Sequence, residues 1–201
     1  HVGCGFDGVG DIAKAKSEIY QGLNADGLAL IPCEDANAAV FQTASKAFKQ
    51  HTFGVGQGDI HAENIVLQPL SCAFDLVCGG ERAAVLLPVP GKHNIHNAVA
   101  AAALALAAGL RLQEVSDGLQ SFANIKGRLQ IKSGIKNAVV LDDTYNANPD
   151  SMKAALDVLA GLPAPRVFVM GDIGELGEDE SAAMHAEVGA YARDKGIETA
   201  Y

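Results

Sequence analysis

Residues 137–195 alternate between two apolar patterns along the chain. NAVVL (137–141) and RVFVM (166–170) are short apolar runs, whereas SMKAALDVLA (151–160) and SAAMHAEVGAYARDK (181–195) have the spacing of helices. The order strand, helix, strand, helix is the rhythm of an α/β fold with a parallel sheet. We therefore predict a parallel α/β domain for this part of the chain.

The residues before this segment are organised differently, with helices followed by several short strand-like runs. Gly79-Gly80 separates two of the runs and predicts a hairpin, so we expect an antiparallel piece there. The pattern changes near Gly127-Arg128, which places a domain boundary between residues 1–128 and 129–201. The elements predicted before the boundary are helices over residues 8–22, Ala36–Lys49, Ile95–Ala108 and Gln113–Ala123, and strands over Leu28–Ile31, Ile60–Gln68, Cys72–Cys78 and Ala83–Leu87.

Composition excludes several classes of protein. The chain has 201 residues, is 49% hydrophobic and carries a net charge of -9, which suits a globular protein and argues against a nucleic-acid partner. The longest apolar run, Ala98–Ala108, is too short for a membrane span, which needs about 20 residues. No export signal precedes residue 20 and the four cysteines show no C-x-x-C spacing. We therefore expect reduced thiols and a cytoplasmic location.

A polar cluster opens the alanine-rich helix, in the segment PGKHNIHNA (90–98). His93 and Asn97 are four residues apart and share one helix face, and Asn94 is a natural N-cap. Amide and imidazole groups placed this way can read the edge of a planar base, as asparagine does with adenine. The alternative is a capped helix with polar residues on its surface.

Two further polar segments follow predicted strands. LDDTYNANP (141–149) lies at the carboxyl end of a strand, where α/β proteins bind ligands. Its paired acids, hydroxyls and amides suit ribose hydroxyls or metal-bound waters, and the alternative is a turn with Asp150 or Ser151 capping the next helix. MGDIGELG (170–177) is glycine-rich, which permits close approach of a ligand, but its spacing is not the dinucleotide fingerprint. The chain contains no G-x-x-x-x-G-K-[ST] phosphate loop.

Taken in order, these segments resemble the Mur ligases of bacterial cell-wall synthesis. The resemblance runs through nearly the whole chain, and its longest strings are LDDTYNANP and GDIGELG. The other matching motifs are the start at His1, AKAKSEIY (13–20), GKHNIHNA (91–98) and GRL (127–129). One departure is Lys126, which stands where the family commonly has a proline.

The resemblance implies a fold and a domain organisation. Mur ligases have a UDP-binding domain, a central ATP-binding domain and a C-terminal Rossmann-like domain. By this resemblance, residues 1–128 are a truncated central ATP-binding domain of mixed sheet with helices, without its N-terminal part and phosphate loop. Residues 129–201 are an incomplete Rossmann-like parallel α/β domain.

The resemblance also implies an activity. It is closest to the member that joins D-alanyl-D-alanine to UDP-N-acetylmuramoyl-tripeptide, with ATP and Mg²⁺ as cofactors and an acyl phosphate as intermediate. We expect this chain alone to be inactive and able to self-associate, and the intact enzyme to be a monomer. The alternatives are another Mur-type amino-acid ligase and a non-catalytic nucleotide-binding module.

Family roles carry over to the residues that match its motifs. Lys16 resembles the lysine that becomes carbamylated and bridges to magnesium, with Lys14 as the competing choice, and His1 resembles a magnesium-binding histidine. Arg128 resembles the arginine that reaches the ATP phosphates, so Lys16 and Arg128 are the expected catalytic residues. The expected nucleotide-binding residues are His93, Asn94, Asn97, Arg128, Asp143, Tyr145 and Asn146. A role facing the incoming dipeptide is expected for Asp172, Glu175 and Leu176.

Overall fold

The computed structural model describes residues 8–123, 125–173 and 178–201. Contact density divides the chain into two compact units. The first contains residues 1–65, 74–85 and 95–120, and the second contains residues 66–73, 86–94 and 121–201. In the described residues, no helix is long and apolar enough to cross a membrane.

Most residues of a five-stranded sheet belong to the first unit. Its strands are β1 (Leu28–Pro32), β2 (Lys49–Val55), β3 (Ile60–Leu67), β4 (Cys72–Cys78) and β5 (Glu81–Leu87), in the spatial order β1-β2-β3-β4-β5. β1, β2 and β3 run parallel to one another. Gly79-Gly80 connects β4 to β5, and a link this short joins antiparallel neighbours. The sheet is therefore mixed, as predicted.

Four helices accompany this sheet. They are α1 (Val9–Ser17), which continues into a 3₁₀ turn (Glu18–Gly22), α2 (Ala38–Ala44), α3 (Lys92–Ala107) and α4 (Leu112–Gln120). Tyr20 is buried in the middle of the 3₁₀ turn, and its hydroxyl donates to the carbonyl of Leu30 at 3.1 Å. Small side chains of α3, among them Ala98, Ala102 and Ala103, are buried, so the alanine-rich pattern marks a helix in close contact with its surroundings.

The second unit contains an antiparallel ladder and a parallel pair. β6 (Gln130–Ser133) pairs antiparallel with β7 (Val139–Asp142), and β8 (Val167–Phe168) pairs parallel with β9 (Thr199–Ala200). α5 (Pro149–Ala160) and α6 (Glu178–Asp194) pack on each other. The buried core of this unit consists of Met152 and Leu156 from α5, Val188 and Ala192 from α6, and Ile173.

The α/β fold is confirmed. In the part predicted to form a parallel sheet, β8 pairs parallel with β9, whereas β7 pairs antiparallel with β6. Several element boundaries were wrong. The helix expected over Ala36–Lys49 ends at Ala44, and the strand Lys49–Val55 follows it. This strand, KQHTFGV, has no alternating apolar pattern in its sequence, and most of its side chains are half-buried. β6 and β9 were not predicted, and β7 begins two residues later than expected because Lys136 and Asn137 have positive φ values of 55° and 63°.

Candidate functional site

Two segments of the second unit meet in a small structure that we call the clasp, residues 127–129 and 143–145. The backbone N–H of Leu129 donates to Asp143 Oδ1 at 2.9 Å, and the N–H of Tyr145 donates to the carbonyl of Gly127 at 3.0 Å. The guanidinium carbon of Arg128 lies 3.9 Å from the centre of the Tyr145 ring. The clasp therefore brings together three of the predicted nucleotide-binding residues, Arg128, Asp143 and Tyr145.

The backbone of the clasp adopts conformations that few residues tolerate. Gly127 has a φ of 72°, and Leu129 has a φ of 47° although it is a bulky residue. Such a φ is a true outlier for a leucine and persists only when its surroundings enforce it. Leu129 is only 3% exposed, so burial of its side chain and the bond from its N–H to Asp143 together hold this conformation.

The two adjacent acids have separate roles in the structure. Asp143 holds Leu129, whereas Asp142 accepts hydrogen bonds from Lys132 Nζ, from the Thr144 hydroxyl at 2.7 Å and from the Thr144 N–H at 3.2 Å. The hydrogen bond from Lys132, followed by those from Thr144, lowers the pKa of Asp142 to about 2. Asp142 thus fixes the end of β7, and Asp143 is the acid of the clasp.

The residues that follow the clasp lead into α5. Asn146, another predicted nucleotide contact, is exposed, and its side-chain oxygen accepts from the N–H of Ala147 at 2.9 Å. The helix is capped by Asn148, in a reciprocal capping box with Ser151, and Pro149 occupies its first turn. The expected cap, Asp150 or Ser151, was therefore misplaced by two or three residues, although Ser151 takes part in the box.

The predicted adenine-side residues open α3. A Cβ atom added at Gly91 would lie 2.6 Å from His93 Cε1 and 3.2 Å from Val158 Cγ2, so the imidazole folds back over a glycine that sits against α5. Asn94 is not the N-cap, because α3 begins at Lys92. Its side-chain amide donates instead to the carbonyl of Pro90 at 2.7 Å and closes the first turn.

The His93 turn and the clasp lie near opposite ends of α5. Val158, beside Gly91, is near the carboxyl end of α5, whereas Tyr145 and Asn146 precede its first residue, Pro149. Nine residues of helix correspond to about 14 Å. Within the second unit, the structure thus forms the Arg128, Asp143 and Tyr145 group, and it places His93 and Asn94 at a separate position.

Asn97 is an exposed residue of α3 and belongs, like Lys16, to the first unit. Sequence reasoning gave no role to its neighbour His96, whose Nδ1 lies 3.5 Å from Glu34 Oε2. Glu34 also accepts the N–H of Val55 at 2.7 Å. A cleft of about 220 Å³ at the carboxyl ends of β1 and β2 is lined by Pro32, Glu34, Asp35, Phe53, Gly54 and His96. The signal that could have found it is the polar run after β1.

The predicted metal-binding residues are not assembled in the described part of the chain. His1 lies outside the described residues. Lys16 is exposed on α1, although partial burial would favour the neutral amine that carbamylation requires, and Lys14 pairs with Asp11 at 3.4 Å. No group of three His, Cys, Asp or Glu side chains among the described residues could hold a metal ion. The Mg²⁺ site and the carbamylated lysine therefore stay predictions.

The glycine-rich segment after β8 is described only in part. Gly171 and Asp172 are exposed and Ile173 is buried in the core of the second unit. Glu175 and Leu176 lie outside the described residues, so their expected role facing the dipeptide is a prediction that the structure leaves untested. Of the cysteines, the described ones, Cys33, Cys72 and Cys78, are free thiols as expected, and burial raises the pKa of each.

In comparisons with known proteins, two segments of the chain match domain families. The Mur ligase middle domain matches residues 1–105, and the Mur ligase, glutamate ligase domain matches residues 127–201. A relative from Haemophilus influenzae, UDP-N-acetylmuramoyl-tripeptide--D-alanyl-D-alanine ligase, is 40% identical over 93% of this chain and 40% of its own length. The ligase of the same name from Escherichia coli is 39% identical over 96% of this chain and 43% of its own length.

Solved structures give the same result. A crystal structure of MurF from Acinetobacter baumannii has a TM-score of 0.89 and 39% identity, covering 97% of this chain and 42% of that chain. MurF ligase from Thermotoga maritima in complex with ADP shares the fold, with a TM-score of 0.76 at 20% identity over 94% of this chain and 48% of that chain. The chain thus spans about two fifths of the length of the curated relatives named above.

Proposed function

Because the chain belongs to the Mur ligase family, we propose that it is part of an ATP-dependent ligase that joins D-alanyl-D-alanine to UDP-N-acetylmuramoyl-tripeptide in peptidoglycan synthesis. In this reaction the terminal carboxylate of the tripeptide takes the γ-phosphoryl group of ATP, and ADP leaves. The amine of D-alanyl-D-alanine then attacks the acyl phosphate, and the amide forms as phosphate departs. A cytoplasmic location and a monomeric enzyme belong to the same proposal.

The observation that carries the proposal is the identity of 39–40%, over more than nine tenths of this chain, to two ligases named for this reaction. The geometry of the clasp also supports it. It presents an exposed guanidinium beside a half-buried carboxylate, on a backbone fixed by two hydrogen bonds. This is a suitable arrangement for phosphate oxygens on one side and a sugar hydroxyl on the other.

We assign Arg128 to the phosphates of the nucleotide. Phosphoryl transfer depends mainly on positioning and on neutralising negative charge, and arginine supplies a planar, permanently charged group with several donors. Asp143 contacts ribose in this assignment. Its Oδ1 accepts the N–H of Leu129, which fixes the carboxylate. A carboxylate has further lone pairs that can accept from a sugar hydroxyl.

We assign His93, Asn94 and Asn97 to the adenine side, with Tyr145 and Asn146 beside the ribose. Asn94 donates one amide hydrogen to the carbonyl of Pro90, which holds its side chain at the first turn of α3. The predicted boundary near residue 128 lies at the clasp.

The proposal is tested with a chimera in which this chain replaces the matching two fifths of the Haemophilus influenzae ligase. We expect phosphate release that requires ATP, UDP-N-acetylmuramoyl-tripeptide and D-alanyl-D-alanine together, and a product of the corresponding mass. Arg128→Ala in the chimera should lower kcat by about 100-fold, as loss of one donor to a developing charge commonly does. Arg193→Ala, an exposed arginine of α6, is the matched control and should stay within about twofold.

Two outcomes would contradict the proposal. A folded chimera that is active only with another amino acid would indicate a sister Mur ligase, and a folded chimera without ATP-dependent turnover would indicate a non-catalytic module. Thermal melting and size-exclusion chromatography establish that the chimera is folded. A smaller graft of residues 127–201, the extent of the glutamate ligase domain match, replaces the larger one if that does not fold.

A further inference from the structure

We propose that Tyr145 is the positioning residue for Arg128, through stacking of its ring on the guanidinium. The inference rests on the proposed function for the role of Arg128, but the stacking itself is a property of this chain. The family resemblance placed Tyr145 beside the ribose, two residues after Asp143. The structure gives it a more definite task.

The contact is a cation–π interaction between two exposed side chains. The guanidinium carbon of Arg128 lies 3.9 Å from the ring centre, well within the distance of about 6 Å at which such pairs attract. Tyr145 is 68% exposed and Arg128 is exposed. An exposed arginine has many rotamers, so a flat partner on one face restricts where the guanidinium can be.

The ring is itself held in place relative to the backbone of Arg128. The N–H of Tyr145 donates to Gly127 and the N–H of Leu129 is bound by Asp143, so the residues on both sides of Arg128 are tied to the segment that contains Tyr145. A Cβ atom at Gly127 would lie 3.0 Å from the Tyr145 backbone nitrogen and 3.2 Å from its Cβ. The absence of a side chain at residue 127 therefore permits this close approach.

Stacking suits a phosphate-binding arginine. It occupies one face of the guanidinium and leaves the N–H groups, which lie in the plane, directed outward to acceptors. A salt bridge to a carboxylate would instead consume two of those donors. The ring of Tyr145 can thus orient Arg128 without competing with phosphate oxygens.

The first test uses this chain without any nucleotide. Protons of the Arg128 side chain above an aromatic ring should show NMR signals shifted upfield by the ring current. We expect Tyr145→Leu to remove the shift and Tyr145→Phe to preserve it, with Tyr201→Leu, an exposed tyrosine at 79%, as the control that leaves it unchanged. Arg128 signals at ordinary positions in the unsubstituted chain would overturn the inference.

The second test measures kinetics in the chimera. We expect Tyr145→Leu to lower kcat by about fivefold with little change in the KM for ATP, and Tyr145→Phe to restore most of that loss. In an Arg128→Ala background, Tyr145→Leu should lower kcat by less than about twofold, because the residue it positions is absent. A purely structural role would give the same loss in both backgrounds.

The two tests separate the possible failures. Ring-current shifts in a chimera without ligase activity would contradict the proposed function and leave the stacking intact. Two results, obtained together with ring-current shifts, would overturn the positioning role alone. One is an equal loss of kcat from Tyr145→Leu with and without Arg128, and the other is a Tyr145→Leu enzyme that is faster than the unsubstituted one. If Tyr145→Leu does not fold, Tyr145→His, which keeps a planar ring, and Tyr145→Met, which does not, provide the same comparison.

Discussion

At the scale of single residues, the clasp depends on positive φ angles at Gly127 and Leu129, and the two residues reach them for different reasons. Gly127 reaches its φ of 72° without a Cβ. Leu129 reaches 47° with a full side chain and must be held there by burial and by Asp143. The positive φ is therefore intrinsically allowed at residue 127 and is imposed by the surroundings at residue 129. Arg128 lies between these two residues.

Gly127→Ala should destabilise the second unit, because a methyl group would combine an unfavourable φ with contacts of 3.0–3.2 Å to Tyr145. We expect a loss of about 1–3 kcal/mol. Gly189→Ala is the matched control in the same unit, since Gly189 lies in α6 with nothing within 4 Å of an added Cβ. It should stabilise by about 0.5–1 kcal/mol. Urea denaturation measures both, and equal effects of the two substitutions would contradict this account.

At the scale of elements, the β6–β7 hairpin contains a contact, between Lys132 and Asp142, whose contribution to stability depends on pH. The hydrogen bond from Lys132 is the largest cause that lowers the pKa of Asp142 from 3.8 to about 2. A carboxylate whose pKa is lowered by folding contributes its full stabilisation at pH values above its pKa in the unfolded state. The stabilisation is lost as the pH falls through the folded value, here between about pH 4 and pH 2.

Lys132→Met should therefore move the titration midpoint of Asp142 upward, toward 3.8. The shift should be partial, because the two hydrogen bonds from Thr144 remain. Carboxyl-carbon NMR between pH 1.5 and 6 measures it, and Lys136→Met, an exposed lysine of the same hairpin, is the control. An unchanged Asp142 midpoint in Lys132→Met would show that the lysine is not the main cause.

The elements also show how far the sequence could predict the structure. α3 and α5 were located to within three residues because their apolar residues repeat at helical spacing. β2 was missed because its residues are mostly half-buried and show no alternation. The antiparallel β6 was missed because it is short and carries polar residues, Gln130, Lys132 and Ser133.

The residues of the candidate site could be predicted from the sequence, but the contacts among them could not. Motif resemblance selected Arg128, Asp143 and Tyr145, which do meet. The bond from Leu129 to Asp143 joins residues 14 apart in the sequence, and the left-handed conformation of Leu129 has no signature in its residue type. The stacking of Arg128 on Tyr145 follows from these backbone contacts, so it became visible only in three dimensions.

At the scale of the whole molecule, the groups proposed for the nucleotide differ in how completely they are formed. The clasp is assembled within one unit, and the adenine-side residues occupy the first turns of α3. The sequence contains no G-x-x-x-x-G-K-[ST] loop, so it lacks that means of holding a triphosphate. The net charge of -9 adds a general repulsion toward an anionic ligand.

Binding of Mg-ATP to this chain should therefore be weak, with a Kd of about 1 mM or higher, and little better than that of adenosine. The base and ribose contacts are common to the two ligands, whereas the phosphates of ATP gain only Arg128 against the overall charge. Titration calorimetry and saturation-transfer NMR compare the two, and we expect Kd values within about threefold. Asn97→Ala should weaken both ligands equally, and Arg128→Ala should weaken ATP alone. A Kd for Mg-ATP in the micromolar range, or about 100-fold below that of adenosine, would mean that this chain holds phosphates by groups other than Arg128.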